Sequence, residues 1–322
     1  MRRTLVRSTV ATALLLGAGL AHAFDLQGHR GARGLAPENT LPSFELAMRH
    51  GATTLELDVA VTRDGVVVIH HDLALNPEIT RGPDGRWIEK PSVPIRQMDW
   101  AELQTYDVGR IRPGSRTATQ HPFQTPIDGT RIPRLSDLFE LVARSGQDRM
   151  RFAIETKLNP TLPEATLAPE PFARALLDEI RKAGVLDRVQ ILSFDWRTLQ
   201  AVQRLAPGVP TVYLTAQQRW LDNVGADAAG PSPWTAGFSH REHGSVPRLI
   251  KAAGGAVWSV HHADLRPEAL AEAHRLGLKV LVWTINDTPT MARFLDLGVD
   301  GIVTDRPDLL RALLDERGIK AR

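Results

Sequence analysis

The chain of 322 residues contains no cysteine, and this absence removes several classes of protein at once. Without cysteine there is no disulfide framework, no lipobox for lipid attachment and no thiolate ligand for zinc. A glycine-rich phosphate loop is also missing after the first predicted strand, which argues against a doubly wound open sheet. Beyond the N-terminus, no apolar run is long enough to span a bilayer. The fold must therefore depend on its hydrophobic core, for which about 300 residues suffice.

The first 23 residues have the pattern of a secretory signal peptide. Three arginines precede an apolar run at 10–20, and Ala-His-Ala at 21–23 is a small-residue cleavage site. The run is too short to favour a membrane anchor. We therefore predict cleavage after Ala23 and a periplasmic or secreted mature chain, residues 24–322.

The formal charge of +2 comes from this leader. Three of the 39 Lys and Arg residues lie in it, so the mature chain would carry 36 basic and 37 acidic residues. A nearly neutral chain gives no reason to expect nucleic acid as a partner. We predict no stable membrane insertion after signal cleavage, and the sequence leaves the oligomeric state open.

Short apolar strands alternate with amphipathic helices after residue 23. Strands are predicted at 24–27, 54–61, 66–70, 151–155, 189–192, 211–214, 256–260, 279–283 and 301–303. Helices are predicted at 40–50, 136–143, 171–183, 196–205, 267–276, 288–297 and 307–313. This alternation predicts one catalytic α/β domain folded as a TIM (β/α)8 barrel, with a doubly wound sheet as the alternative.

Two segments depart from this alternation. Residues 62–65 are too few for a helix and predict a tight turn, so one of the nine strands belongs to a hairpin outside the barrel. Residues 73–133 lack periodicity and predict an irregular insertion after the third strand, over the barrel mouth, with a short helix near 100–104. A second irregular stretch, 217–243, is either another wall of the pocket or a surface loop.

Three carboxylates are expected to face the barrel interior. Glu56 and Asp58 are two residues apart in one strand, so their side chains point the same way, and Glu155 ends the fourth predicted strand. Buried carboxylates must be neutralised, and a divalent cation is the simplest means. Oxygen ligands without cysteine favour Ca²⁺ or Mg²⁺ over zinc. The alternative is an internal salt bridge from Lys157, which otherwise offers its charge to a phosphate.

Two histidines are placed to transfer protons. His29 closes the first strand, where barrel enzymes hold their catalytic groups, and His71 closes the hairpin strand. Either histidine could instead bind a metal or act structurally. Arg30 can bind two phosphate oxygens or pair with a carboxylate, and Glu38, at the start of a helix, is expected near the site.

Other residues at the presumed rim are less defined. Trp283 is either a wall of the pocket or part of the core, and Asn286 either binds substrate or caps the next helix. His261 and His262 lie at the same rim without an assigned role. His70 should face away from His71 by strand alternation.

The motifs together resemble the glycerophosphodiester phosphodiesterase family. They are HRG at 29–31, ENT at 38–40, ELDV at 56–59, TRDG at 62–65, VVVIHHD at 66–72, ETK at 155–157, VWTIN at 282–286 and GVDGIVTDRP at 298–307. The likeness runs from about residue 26 to residue 307. It departs at 75–81, which reads LNPEITR where the family commonly has a Leu-Asp-Arg-Thr-like stretch.

The resemblance implies a TIM barrel related to phosphatidylinositol phospholipases C. It further implies metal-dependent hydrolysis of a small glycerophosphodiester to an alcohol and glycerol 3-phosphate, with one Ca²⁺ or Mg²⁺. The implied site residues are Glu56, Asp58 and Glu155 for the metal, His29 and His71 for acid–base catalysis, and Arg30, Lys157, Glu38 and Trp283 for the substrate.

Two other functions remain open at this point. The same chemistry could act on lysophospholipids or wall polymers, because the departures border the expected head-group pocket. An exported phosphodiester-binding protein is the non-enzymatic alternative. It is disfavoured because binding alone needs no pair of proton-transferring histidines. An enzyme would turn over many substrate molecules, whereas a binding protein would only bind them stoichiometrically, so a turnover assay distinguishes the two.

Overall fold

The structure is a computed structural model that describes residues 24–322. The predicted signal peptide and its cleavage site lie outside the described residues. The strands are β1 (Asp25–Gly28), β2 (Thr54–Val61), β3 (Val67–Ile69), β4 (Arg151–Thr156), β5 (Val189–Ser193), β6 (Thr211–Thr215), β7 (Gln217–Gln218), β8 (Leu221–Asp222), β9 (Val257–His261), β10 (Lys279–Trp283) and β11 (Gly301–Thr304).

Eleven α-helices occur among the described residues. They are α1 (Leu41–Arg49), α2 (Trp100–Leu103), α3 (Arg116–Gln120), α4 (Leu135–Arg144), α5 (Pro169–Lys182), α6 (Trp196–Leu205), α7 (His240–His243), α8 (Val246–Ala252), α9 (Pro267–Arg275), α10 (Thr288–Leu297) and α11 (Pro307–Glu316). Short 3₁₀ helices form at Ile95–Gln97, Pro163–Ala165 and Leu186–Arg188. No helix in residues 24–322 is both long and apolar enough to cross a membrane.

Eight parallel strands close into a barrel in the order β1, β2, β4, β5, β6, β9, β10, β11. Closure comes from β1, which pairs with β11 on one side and β2 on the other. The extra strand among the nine predicted is β3, which runs antiparallel to β2 and lies outside the barrel. The prediction of a TIM barrel is thus confirmed. The small hairpin of β7 and β8 is an additional element that the sequence pattern did not reveal.

Strand alternation in β2 determines which side chains face the barrel interior. Leu55, Leu57 and Val59 are fully buried in the main hydrophobic core, between the barrel and its helices. Glu56 and Asp58 have the opposite parity and face the interior, where they are 3% and 1% exposed. The strand therefore presents apolar side chains to the helices and two carboxylates to the barrel axis.

The segment 73–133 has a hydrophobic core of its own. Its apolar side chains cover Ala60 and Val68 of the β2–β3 hairpin, and the buried members are Leu75, Ile95, Met98, Leu103, Val108 and Ile132. Two hydrogen bonds join the segment to the loop after β1. The Thr125 N–H donates to the Leu35 carbonyl at 2.9 Å, and the Gln124 amide donates to the Arg33 carbonyl at 2.7 Å. This packing holds one wall of the cavity described below.

Candidate active site

A cavity of about 690 Å³ opens at the carboxyl ends of the barrel strands. One side is charged and polar and is formed by the loops after β1, β2, β3 and β4 and by the 73–133 segment. Its main members are His29, Arg30, Arg33, Glu38, Glu56, His71, Asp72, Glu78, Arg116, Glu155 and Lys157. The other side is largely apolar and is formed by Leu192, Phe194, Leu214, Trp220, Ser259, Trp283 and Val303. The cavity can therefore take a molecule with an anionic part and a less polar part.

Glu56, Asp58 and Glu155 meet on the charged side. One oxygen from each lies within 4.8 Å of the others, and all three residues are buried. Burial and the two neighbouring carboxylates raise the pKa of Glu56 well above its usual value. A divalent cation would relieve this repulsion, and an all-carboxylate donor set suits a hard cation such as Ca²⁺ or Mg²⁺. The residues present thus fit a metal site.

Two cations of the protein lie against the same carboxylates. Lys157 donates to Glu155 at 2.6 Å, and its Nζ is 3.5 Å from Asp58 Oδ1. Arg30 places Nε 3.3 Å from Asp58 Oδ2. Burial alone would raise the pKa of Asp58, but His71, Lys157 and Arg30 lower it well below its usual value. The salt bridge that was the alternative for Lys157 is therefore present, and it leaves the charge beside the carboxylate cluster.

The HRG motif makes a tight turn that aims Arg30 at this cluster. Arg30 has φ 49° and Gly31 has φ 85°, both in the left-handed region. A Cβ on Gly31 would lie 2.5 Å from Ser43 Oγ, so only glycine fits beside α1. The Arg30 N–H donates to Glu56 at 2.9 Å. Left-handed backbone in a non-glycine residue is strained, and the surrounding contacts hold it here.

Asn39 makes a second left-handed turn next to the cluster. Its φ is 56°, and its side-chain amide donates to Asp58 Oδ2 at 2.9 Å. The following Thr40 is the N-cap of α1 and accepts from the Ser43 N–H. The ENT motif therefore has a structural part, the helix cap, and a part that orients a carboxylate.

His29 is held by an aspartate from the far end of the chain. Its Nδ1 lies 2.5 Å from Asp305 Oδ1, while its Nε2 is 4.0 Å from Glu56 Oε2. Asn286 in turn donates to Asp305 Oδ2 at 2.6 Å and accepts from the Asp305 N–H at 2.9 Å. Burial lowers the pKa of His29, although Asp305 opposes this. The neutral ring donates from Nδ1 to the carboxylate and leaves Nε2 free towards the cluster.

His71 has a similar partner in the neighbouring residue Asp72. Its Nδ1 is 2.7 Å from Asp72 Oδ1, and Asn76 donates to Asp72 Oδ2 at 2.8 Å. Burial, together with the charges of Arg30 and Lys157, lowers the pKa of His71 to about 4. Each predicted catalytic histidine thus lies in a carboxylate–histidine pair, and both line the cavity that contains the three carboxylates.

Glu38 binds two arginines at the cavity wall. Arg30 donates to its Oε1 at 2.7 Å, and Arg33 donates to its Oε2 at 2.5 Å. Burial would raise the pKa of Glu38, but the two guanidinium groups outweigh it and lower the pKa to about 2. Glu38 thus fixes the direction of Arg30 as well as lining the cavity.

Replacing Glu38 by glutamine is expected to destabilise the fold in a pH-dependent way. The pKa of Glu38 is about 2 in the folded protein against 4.5 for a free glutamate side chain, so the ionised carboxylate stabilises the fold fully above pH 4.5. That shift corresponds to roughly 3 kcal/mol, lost as pH falls from 4.5 to about 2. Urea unfolding at pH 6 and pH 3 should show the Glu38→Gln penalty falling by roughly half. The exposed Glu140→Gln, from a surface pair, should change stability by less than about 1 kcal/mol at either pH. An equal Glu38→Gln penalty at both pH values would contradict the prediction.

The structure separates the remaining rim residues. Trp283 lines the cavity, which corresponds to the first of its two predicted positions, a wall of the pocket. Asn286 is not the N-cap of α10, because Asp287 holds that position. The side chain of Asn286 binds Asp305 and does not line the cavity. From the irregular stretch 217–243, Trp220 reaches the cavity lining. His70 is buried beside the site, and its Nε2 has no hydrogen-bond partner within residues 24–322.

Asp305, Asn286 and Asp72 are residues whose role the sequence did not indicate. Asp305 and Asn286 belong to the motifs at 298–307 and 282–286, so the sequence marked both residues. The motifs did not show which side chains these two residues contact. His121, from the 73–133 segment, also lies near Asp305, with 3.9 Å between Nδ1 and Oδ2. The pairing of His29 with Asp305 spans 276 positions and depends on closure between β1 and β11.

Comparison with known proteins identifies the family of the chain. The model of the glycerophosphoryl diester phosphodiesterase family matches residues 29–309. A glycerophosphodiester phosphodiesterase from Caldanaerobacter subterraneus is 27% identical over 296 residues, covering 90% of this chain and 97% of the relative. One from Bacillus subtilis is 27% identical over 286 residues, covering 87% and 83%.

Solved structures show the same fold. A crystal structure from Silicibacter pomeroyi, whose name assigns it provisionally to the glycerophosphoryl diester phosphodiesterases, has a TM-score of 0.83 and 33% identity, covering 94% of this chain and 96% of its own. A phosphodiesterase from Oleispira antarctica, solved with the product sn-glycerol-3-phosphate, has a TM-score of 0.66, 24% identity and coverage of 91% and 97%. The chain belongs to the glycerophosphoryl diester phosphodiesterase family and is an enzyme of that family, as its motifs predicted.

Proposed function

We propose that the protein hydrolyses glycerophosphodiesters to an alcohol and glycerol 3-phosphate, with a divalent cation and two histidines. The observation that carries the proposal is the meeting of His29, His71 and three buried carboxylates at one cavity. The Oleispira relative, solved with sn-glycerol-3-phosphate, supports the identity of the product.

Glu56, Asp58 and Glu155 would hold the cation, either Ca²⁺ or Mg²⁺. Bound there, a divalent cation supplies charge stabilisation for phosphate oxygens in the transition state. Asn39 orients the Asp58 carboxylate, and the Arg30 N–H orients Glu56. These contacts keep the donor atoms in place before substrate arrives, which limits reorganisation during the reaction.

His29 and His71 would move the protons. In the first step, one histidine would take the proton of the glycerol 2-hydroxyl as it attacks phosphorus, and the other would give a proton to the departing alcohol. Water would then open the resulting cyclic phosphate to glycerol 3-phosphate, with the two histidine roles reversed. Asp305 and Asp72 each accept from Nδ1 and so leave Nε2 of each ring for this exchange. A carboxylate beside each imidazole also stabilises the charged ring formed when a proton is taken up.

Arg30 and Lys157 would contact the phosphate. Both line the cavity next to the carboxylate cluster, and both are already fixed by ion pairs. A guanidinium group can donate two parallel hydrogen bonds to a phosphate, while the lysine acts as a single charge. Glu38 would act on the substrate through Arg30, and Trp283 would contact the less polar part of the substrate.

We further propose that the protein is exported to the periplasm or secreted. The N-terminal pattern supports this, since arginines, an apolar run and a small-residue cleavage site follow in order. Sequencing the N-terminus of the protein recovered outside the cytoplasm should find Phe24 first. An intact N-terminus on the exported chain would contradict cleavage at this position.

Release of glycerol 3-phosphate by the purified mature chain tests the main proposal. Glycerophosphocholine, glycerophosphoethanolamine and glycerophosphoglycerol are each incubated with Mg²⁺, Ca²⁺ or EDTA. Release with a cation and its loss with EDTA are expected. A folded protein that releases no glycerol 3-phosphate from any ester with either cation would overturn the proposal, and lysophospholipids would then be tested.

A further inference from the structure

Four rings pack together on the apolar side of the cavity, and three of them, Phe194, Trp220 and Trp283, line it. They are Phe194 after β5, Trp283 at the end of β10, His261 at the end of β9 and Trp220 in the β7–β8 turn. Trp283 lies 5.5 Å from Phe194, 5.1 Å from His261 and 6.1 Å from Trp220, measured between ring centroids. The ring planes of these pairs meet at 84°, 83° and 69°. Cleavage of the diester, as proposed above, uses none of them except Trp283.

Trp220 is unusual because it is large, apolar and 62% exposed at the cavity mouth. The hairpin that carries it is anchored at its base. Asp264 accepts from the Gln217 N–H at 2.8 Å and from the Gln218 amide at 2.5 Å. The ring is therefore held over the cavity by specific contacts. An exposed aromatic held in this way at a pocket mouth indicates a ligand that covers it.

The facing wall supplies a carboxylate. Glu78, from the 73–133 segment, lines the cavity and accepts from the Thr117 N–H at 3.0 Å through Oε2. It forms no ion pair with any residue from 24 to 322. The hydrogen bonds from Thr117 lower the pKa of Glu78, so it is ionised at neutral pH. Arg116 on the same wall is exposed to solvent, where water and salt screen its charge.

Resting on the proposed function, we propose that Trp220, Trp283 and Glu78 form a subsite for a quaternary ammonium head group on the leaving alcohol. Roughly perpendicular aromatic faces attract such a cation through their quadrupoles, and tryptophan does so most strongly. Glu78 adds attraction for a positive charge and disfavours an anionic head group. The preferred substrate class is therefore a glycerophosphodiester of a choline-type alcohol.

The test compares two esters that differ only in charge. Glycerophosphocholine is measured against its neutral isostere, the glycerophospho ester of 3,3-dimethylbutan-1-ol, as kcat/KM on both. Wild type should prefer the charged ester by about tenfold, the scale of a cation–π contact with one tryptophan. Trp220→Ala should reduce this preference to about twofold, and Trp220→Phe should keep part of it.

Further variants control for misfolding and for a loss of activity that does not depend on the charge of the ester. Glu78→Gln keeps an acceptor for Thr117 but removes the charge, and it should also reduce the preference. Phe123→Ala is the matched control, since Phe123 is 68% exposed but does not line the cavity. The proposal fails if wild type does not distinguish the two esters, or if Trp220→Ala lowers kcat/KM for both equally.

Binding of free choline separates this proposal from the proposed function. Choline binding is followed by tryptophan fluorescence, and 3,3-dimethylbutan-1-ol is the neutral comparison. Choline should bind the wild type at least tenfold more tightly than Trp220→Ala, whether or not any ester is hydrolysed. Hydrolysis without this selectivity would contradict the subsite but not the proposed function. Selective choline binding without hydrolysis would support the subsite and contradict the proposed function.

Discussion

Replacing His29 or His71 by alanine is expected to lower kcat for glycerophosphodiester hydrolysis by a hundredfold or more. A positioned acid or base contributes on the order of 10²–10⁴ in rate, and each imidazole is fixed by its own carboxylate. KM should change much less, because neither ring is assigned to substrate binding. Steady-state kinetics at saturating cation measures both values.

An activated ester then distinguishes the acid from the base. With 4-nitrophenol as the leaving alcohol, protonation of the leaving group is no longer needed. Loss of the general acid should therefore matter far less on this ester, while loss of the general base should cost as much as before. Equal losses of activity on both esters for both variants would contradict separate acid and base roles.

Two further variants test whether the loss of kcat comes from proton transfer by the histidines. Asp305→Asn should lower kcat by roughly ten- to a hundredfold, since it removes the charge that orients His29 without removing the ring. His274→Ala is the control, because His274 is exposed on α9 and its ion pair, at 3.0 Å, is with Asp300, away from the cavity lining. A similar loss for His274→Ala would mean that the effects reflect stability and not proton transfer.

Replacing Glu56 by glutamine is expected to lower cation-dependent activity about a thousandfold and to stabilise the cation-free protein. The variant loses one of the three carboxylates proposed to hold the cation, and with it several kcal/mol of transition-state stabilisation. It also removes the repulsion that raises the pKa of Glu56, while the amide oxygen can still accept from the Arg30 N–H. Activity and stability should therefore change in opposite directions.

Chemical unfolding with and without cation measures the second effect. At a cation concentration a hundred times the dissociation constant, wild-type stability should rise by about 2.7 kcal/mol, and the variant should gain far less. In EDTA the variant should unfold at a higher urea concentration than wild type. A cation-induced gain as large in Glu56→Gln as in wild type would show that the metal binds elsewhere.

Several site features follow from local pattern alone. The period of two in β2 already placed Glu56 and Asp58 on one face, and the apolar parity of Leu55 and Leu57 placed that face inside. His29 and Arg30 could be located because the first strand ends there. Such predictions hold because they depend on residues one to four positions apart, where covalent geometry limits the choices.

The contacts that complete the site were not accessible in the same way. Local pattern could not show which of the nine strands lay outside the barrel, because β1 and β3 pair with the same edge of β2. In the structure, β1 pairs with the start of β2 and β3 pairs with its end. The sequence left the stretch 217–243 open between a pocket wall and a surface loop, because the Asp264 contacts that anchor the hairpin of Trp220 lie more than forty residues away.

The barrel, its inward carboxylates and the positions of the two histidines follow from local sequence pattern, because each depends on periodicity or on strand ends. The tertiary structure was needed to show that Asp305 holds His29, that Asn286 holds Asp305, and that Trp220 and Glu78 line one cavity. These pairings join segments far apart in the chain. They exist because closure of the sheet brings the ends of all eight strands to one rim, and no local preference specifies which side chains meet there.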